Sequence, residues 1–206
     1  MAKGRTSVEA TVGVAEHGNS AILVTIAPDG QLLDRRRVDL TRDLPTHPYH
    51  HEGSWAVGRY VDSPWAKQTT MAEAVALVAR VREAAARGAR EALEALAASV
   101  PSPIARIAIR ACPPLPATTE ERITDTGAAN VADSVMYRET LAAAAEARGW
   151  SVFWYDRASV FRDAAKAVGS QDIDELLRVM GRAAGPPWQA KHKLAGAAAF
   201  AATRPR

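Results

Sequence analysis

Cysteine is almost missing from this 206-residue chain: Cys112 stands alone, so no intrachain disulfide can brace the fold. Following an apolar strand-like run, it reads as a small buried residue of a reducing compartment rather than a reactive thiol. No apolar stretch approaches the length of a membrane span. The opening residues, Met1-Ala-Lys-Gly-Arg-Thr-Ser7, carry positive charge without the apolar run of a signal peptide. The expectation is a soluble, cytoplasmic protein with no membrane partner. No Ser/Gly-rich linker parts the chain into units. Also lacking are a phosphate-binding Gly-rich loop ending in Lys-Ser/Thr, a Gly-x-Ser-x-Gly elbow and a paired-cysteine motif, and Val12-Gly13-Val14 is too short a glycine signal to mean a nucleotide.

What is present is an ordinary globular composition, 48% hydrophobic and 24% charged, long enough to bury a core. One domain over residues 1–206 is expected. The formal net charge of +3 is compatible with a polyanion partner but far below the density of a dedicated nucleic-acid arm.

Thr11–Ala15 and Ala21–Ile26 read as neighbouring strands about the turn material His17-Gly-Asn-Ser20, and Pro28-Asp-Gly30 turns the chain into a third strand over 31–40. There Arg35, Arg36 and Arg37 must lie on alternating faces, which suits a sheet edge and not a buried strand. Thr70 with Glu73 forms a capping box that opens a helix to about Ser99, with Val78, Val81, Ala85, Ala89, Leu93 and Leu96 as its buried stripe. Gly88 within it marks close packing. A strand over 104–109 follows, then the loop Pro113-Pro-Leu-Pro116, then a helix from Val131 to Arg148 capped by Asn130 and closed by Gly149. Val152–Tyr155 is a further strand. Asp156 opens a helix to about Val168, Asp172 with Glu175 opens another, and after Gly185-Pro-Pro187 an Ala-rich helix runs from Gln189 to Ala202. Three strands in hairpins, then helix, strand, helix, strand and helices, make an α/β pattern with a mixed sheet.

That order resembles the RNase H-like superfold, and within it the RuvC-type Holliday-junction resolvases. The likeness lies in Val12-Gly-Val-Ala-Glu-His-Gly18, in the long helix before strand 104–109, in the helix-Gly-strand segment Leu141–Tyr155, and in the short helices leading to Gly185-Pro-Pro187 and His192-Lys-Leu-Ala-Gly-Ala197. It spans nearly the whole chain except residues 41–68. The resemblance implies a mixed sheet of three antiparallel and then parallel strands flanked by helices. It also implies nucleic acid as partner, a possible homodimer through the Ala-rich terminal helix, and hydrolysis by two divalent ions held among several carboxylates. The ligands would stand at the end of the first strand, at the end of strand 104–109 and on the terminal helix. Those places hold Ala15 or Glu16, then Arg110, then His192 and Lys193. A guanidinium cannot ligate a metal, and its charge raises the cost of binding one. Arg110, Lys191 and Lys193 are therefore candidate phosphate-binding residues. A strand-end arginine paired with an acid, and lysines on a solvated helix face, are the plainer alternatives.

The enzymatic rival is a rearranged centre of Glu16, Asp125, Asp133 and His192 in a divergent Mg²⁺- or Mn²⁺-dependent endonuclease. Asp133 has a competing role as a first-turn acid behind the Asn130 cap, and the segment Asp133–Glu139 is polar for a crossover helix, which suits a site or a subunit interface. Residues 41–68 hold Pro45, Pro48 and Pro64, three of the five histidines and the motif Thr46-His-Pro-Tyr-His-His-Glu52. So long a structureless loop is a candidate functional surface. His47, His50 and His51 are metal ligands by type but lack the helical spacing of a zincin. With Tyr49, Trp55, Tyr60 and Trp65 they can instead pack the loop, or stack on bases or a partner. A third reading, half of an actin-like or sugar-kinase-like protein, shares the opening hairpins but lacks the second half.

Overall fold

Alternation of apolar and small residues opens the chain as a meander in the computed structural model, which describes residues 9–169 and 172–203. β1 (Ala10–His17) and β2 (Ser20–Ile26) pair antiparallel, and β3 (Leu32–Asp39) pairs antiparallel with β2. β4 (Ile104–Arg110) then joins β1 in parallel, and β5 (Ser151–Tyr155) joins β4 in parallel. The order β3-β2-β1-β4-β5 is the RNase H-like mixed sheet. β3 is an edge, as its arginines require. Arg36 turns one way, to Asp34 at 2.7 Å. Arg35 turns the other and gathers the carbonyls of Gly185 at 2.7 Å, Pro186 at 2.9 Å and Pro187.

Period-two alternation sends β-strand side chains into two cores. Val12, Val14, Leu23, Ile107 and Ile109 meet α1 (Met71–Ser99) and α3 (Thr126–Glu146) on one face. Ala15, Val24, Ile26, Ala108 and Tyr155 meet α4 (Val160–Val168), α5 (Ile173–Ala184) and α6 (Ala190–Ala201) on the other. α1 has the Thr70/Glu73 capping box, and its expected stripe is buried throughout. Truncating Leu93 or Leu96, both fully buried, costs about 2–5 kcal/mol. α6 lies almost on the backbone of β1: a Cβ on Gly13 would stand 1.9 Å from the Ala195 carbonyl oxygen. That contact brings the first turn of α6 to the end of β1.

Three expectations change, the first being that α4 opens at Val160 after Ser159 and not at Asp156. The helix assigned to Val131–Arg148 begins earlier, at Thr126, and its cap is Asp125, whose Oδ1 accepts from the Ala128 N–H at 2.9 Å. Asn130 lies inside it. Ahead of it sits α2 (Thr119–Thr124), opened by a second capping box of Thr118 and Glu121, so that Asp125 ends one helix and starts the next. Residues 41–68 are also not wholly irregular, because Pro48–Gly53 winds into one short π-helical turn.

Candidate functional site

The C-terminal ends of β1, β4 and β5 come together with the first turn of α6, where open α/β sheets place their sites. Glu16 stands near the end of β1 with its side chain 8% exposed, against Arg138 of α3 at 5%. Arg138 Nε donates to Glu16 Oε1 at 2.7 Å, its Nη2 pairs with the same oxygen, and its Nη1 donates to the Ala111 carbonyl at 3.2 Å. One guanidinium thus fastens α3 to the end of β1 and to the chain leaving β4.

Further cations surround that pair. Tyr155, beside Arg110 in the sheet register, donates its hydroxyl to the Val14 carbonyl at 2.8 Å. Burial pushes its phenol pKa up and Glu16 adds to the rise, while Arg138, Arg110 and Arg157 oppose it. The Lys191 amine is lowered first by burial; Glu16 opposes that, and Arg157 and Arg37 reinforce it. Glu16 is therefore the acid shared by Arg138 and Lys191, within a field to which Arg37, Arg110 and Arg157 contribute. Lys193 is two residues on from Lys191, about 200° round the helix, and so does not join it. Cys112 is half-buried, and burial raises its thiol pKa, away from the reactive thiolate.

This donor set does not fit a pair of divalent ions. A metal there would have to displace a buried guanidinium from Glu16 and sit among cations. Among the described residues no three His, Cys, Asp or Glu side chains gather in a group suited to a metal ion. The remaining members of the candidate centre each have other partners. Asp125 caps α3. His192 is buried on α6, where its Nδ1 accepts from the Gln189 N–H at 3.2 Å and its ring stacks on Trp188 at 5.7 Å. Burial, then Arg35, lowers its pKa.

Asp133 sits two turns into α3, where it cannot act as a first-turn acid. Its carboxylate accepts from the N–H groups of Tyr49 at 2.9 Å and His50 at 3.1 Å, which caps the π-helical turn from below. Burial pushes its pKa up to about 7 against the pull of those two donors, and Glu52 adds to the rise. His47 Nδ1 is 3.8 Å from Asp133, but burial and then the neighbouring histidines hold His47 below its usual value. At neutral pH that contact is not a strong ion pair. His50 is lowered likewise, by burial and then by His51 and Arg59.

The three histidines meet as rings. His47 and His51 are 5.2 Å apart by centroid, His50 and His51 5.0 Å. Trp65 joins His51 at 5.7 Å, Trp55 at 5.9 Å and Tyr60 at 5.7 Å. Arg59 ties this loop to the end of α2 through the carbonyls of Ile123, at 2.7 Å, and Thr124.

Arg138, Arg157, Arg37 and Tyr155 were not named as site residues from sequence, although Arg138 lies in the polar segment Asp133–Glu139. For Arg138 a signal existed: a cation on a crossover helix, one residue after a tyrosine that shares a face with Asp133.

The sheet defines a mixed α/β domain, and the cations gathered at the crevice of its strand ends are the candidate site. No family model and no curated protein matches the chain. Among solved structures, RuvC of T. thermophilus in complex with a Holliday junction substrate is similar, with 14% identity, a TM-score of 0.49 and coverage of 94% of this chain and 91% of that one. A second Thermus thermophilus RuvC structure is similar at 12% identity and a TM-score of 0.47, covering 93% of this chain and 91% of that one.

Proposed function

We propose that this is a nucleic-acid-binding, RuvC-type domain that grips backbone phosphate with fixed cations in place of a two-metal nuclease centre. The observation that carries the reading is the Glu16–Arg138 pair: the acid at the end of β1 is already neutralised by a buried guanidinium. Arg110, Arg157 and Lys191 then leave the crevice with surplus positive charge, while Arg37 is paired with Asp39 at 3.3 Å. Arginine presents a planar fork that matches phosphate oxygens, and Lys191 adds a point charge. Phosphate recognition of this kind is largely independent of sequence and weakens steeply with salt.

The reading is tested by fluorescence anisotropy with branched, duplex and single-stranded DNA over a salt series. Binding should fall with salt, and Arg110→Ala with Lys191→Ala should weaken it on every DNA and flatten the salt slope. Absence of salt-sensitive binding to all three removes the reading. Cleavage that depends on Mg²⁺ or Mn²⁺ and is lost in Glu16→Gln and Asp133→Asn would establish the divergent nuclease instead.

A further inference from the structure

The ring loop and the crevice are neighbours. Gly18, two residues beyond Glu16, packs on the start of the loop: a Cβ there would stand 2.6 Å from Thr46 Cγ2 and 3.7 Å from His47 Cε1. From His47 the rings continue without a gap, by 5.2 Å to His51, 5.7 Å to Trp65 and 5.7 Å to Tyr60. At their far end Trp65 and Tyr60 keep 48% and 41% of their surface in water.

These rings are held out and not merely left over. Asp133 pins Tyr49 and His50, the Tyr137 hydroxyl donates to the Thr46 carbonyl at 3.1 Å, and Arg59 ties the loop to α2. Tyr60 itself adopts φ +60°, a backbone conformation that is costly for a bulky residue and persists only where its surroundings impose it. Burial keeps His47 and His50 below their usual pKa and so favours neutral rings near pH 7.

We propose that the strip His47, His51, Trp65 and Tyr60 is a stacking platform for unpaired bases of a nucleic-acid strand whose phosphates lie in the adjoining cationic crevice. The inference rests on the phosphate-gripping reading above and adds the class of strand. A surface with cations at one end and partly exposed aromatic rings at the other matches the two chemistries of a nucleotide. Every base has a π-face, so such a platform binds without sequence preference and needs bases that are not paired.

The test uses the full chain with a fluorescently labelled oligo(dT) and an abasic deoxyribose-phosphate strand of equal length. The wild type should bind oligo(dT) the more tightly. Trp65→Leu, which keeps apolar bulk but removes the ring, should weaken oligo(dT) by roughly tenfold and leave the abasic strand unchanged, whereas Trp65→Phe should retain most of the affinity. Circular dichroism and thermal melting confirm that both variants fold. Arg110→Ala with Lys191→Ala should weaken both strands alike. Equal wild-type binding of the two strands, or an equal loss on both in Trp65→Leu, overturns the stacking platform and leaves the crevice standing. If Trp65→Leu acts on oligo(dT) alone but the crevice variants change neither strand, the crevice reading fails and the platform survives it. Failure of the wild type to bind either strand overturns both.

Discussion

Glu16, which meets α3 through Arg138, and Asp133, which belongs to α3, are two acids with little-exposed side chains, and they are satisfied in opposite ways. Glu16 meets a full positive charge, Arg138, at 2.7 Å. Asp133 meets two backbone N–H groups, from Tyr49 and His50, and its pKa rises to about 7. The first acid completes an ion pair that joins strand ends to a helix. The second stands on the border of ionisation and serves as the floor of a loop. Residue type therefore does not tell a ligand from a prop; the groups that each carboxylate already contacts do.

The largest test of this contrast is Arg138→Ala, which leaves Glu16 buried and uncompensated and should cost about 3–5 kcal/mol in urea unfolding. Replacing both partners, Glu16→Leu with Arg138→Met, should cost clearly less than that single change. If the double variant is the worse of the two, the pair is not the self-contained unit described. Asp133→Ala strands two buried N–H donors and should cost about 2 kcal/mol, with Asp133→Asn recovering part through its amide oxygen. Faster hydrogen exchange should appear at Tyr49 and His50 and not at β1.

The acids should also separate by pH. An aspartate ordinarily releases its proton near 3.8, whereas folded Asp133 keeps its proton up to about 7. The native state thus binds the extra proton between these values, and the contribution of Asp133 to stability falls as pH rises through that window and is flat above it. His47 and His50, whose pKa values are lowered, act in the opposite sense: they favour the folded state as pH rises through the ordinary histidine range. The difference between wild type and Asp133→Asn isolates the carboxyl, and a difference that does not change between pH 4 and 7 contradicts its assigned environment. The smallest effect should come from Gly18→Ala, at about 1 kcal/mol, because φ there is +53°. Its use is to press on Thr46 and so show whether crevice and loop move together, read as chemical-shift changes at both.

Local chemistry made much of the fold legible. The Thr70/Glu73 box, the buried stripe of α1 and the arginines of β3 as an edge follow from spacing that a few residues carry, and the mixed sheet from the order of the elements. Gly88 did mark a close approach, although the neighbour is the Leu40 carbonyl after β3, 2.2 Å from where a Cβ would stand. The start of α3 was hidden because Thr118/Glu121 opens a helix only six residues long, directly before Asp125, and the prolines upstream read as loop. The site was less legible for a different reason. The contact of Asp133 with Tyr49 spans 84 residues and that of Arg138 with Glu16 spans 122, and no local pattern encodes such a meeting. The places of Arg110 and Lys191 were legible because they follow from strand and helix ends, and helical phase sets Lys193 about 200° round from Lys191.

Arg35 has a mechanical consequence. By holding the carbonyls of Gly185, Pro186 and Pro187 it tethers the chain just before α6 to the rim strand β3. A pull on the start of α6 would therefore load that tether and strain an edge strand, so a force at the centre of the sheet would be felt at its border.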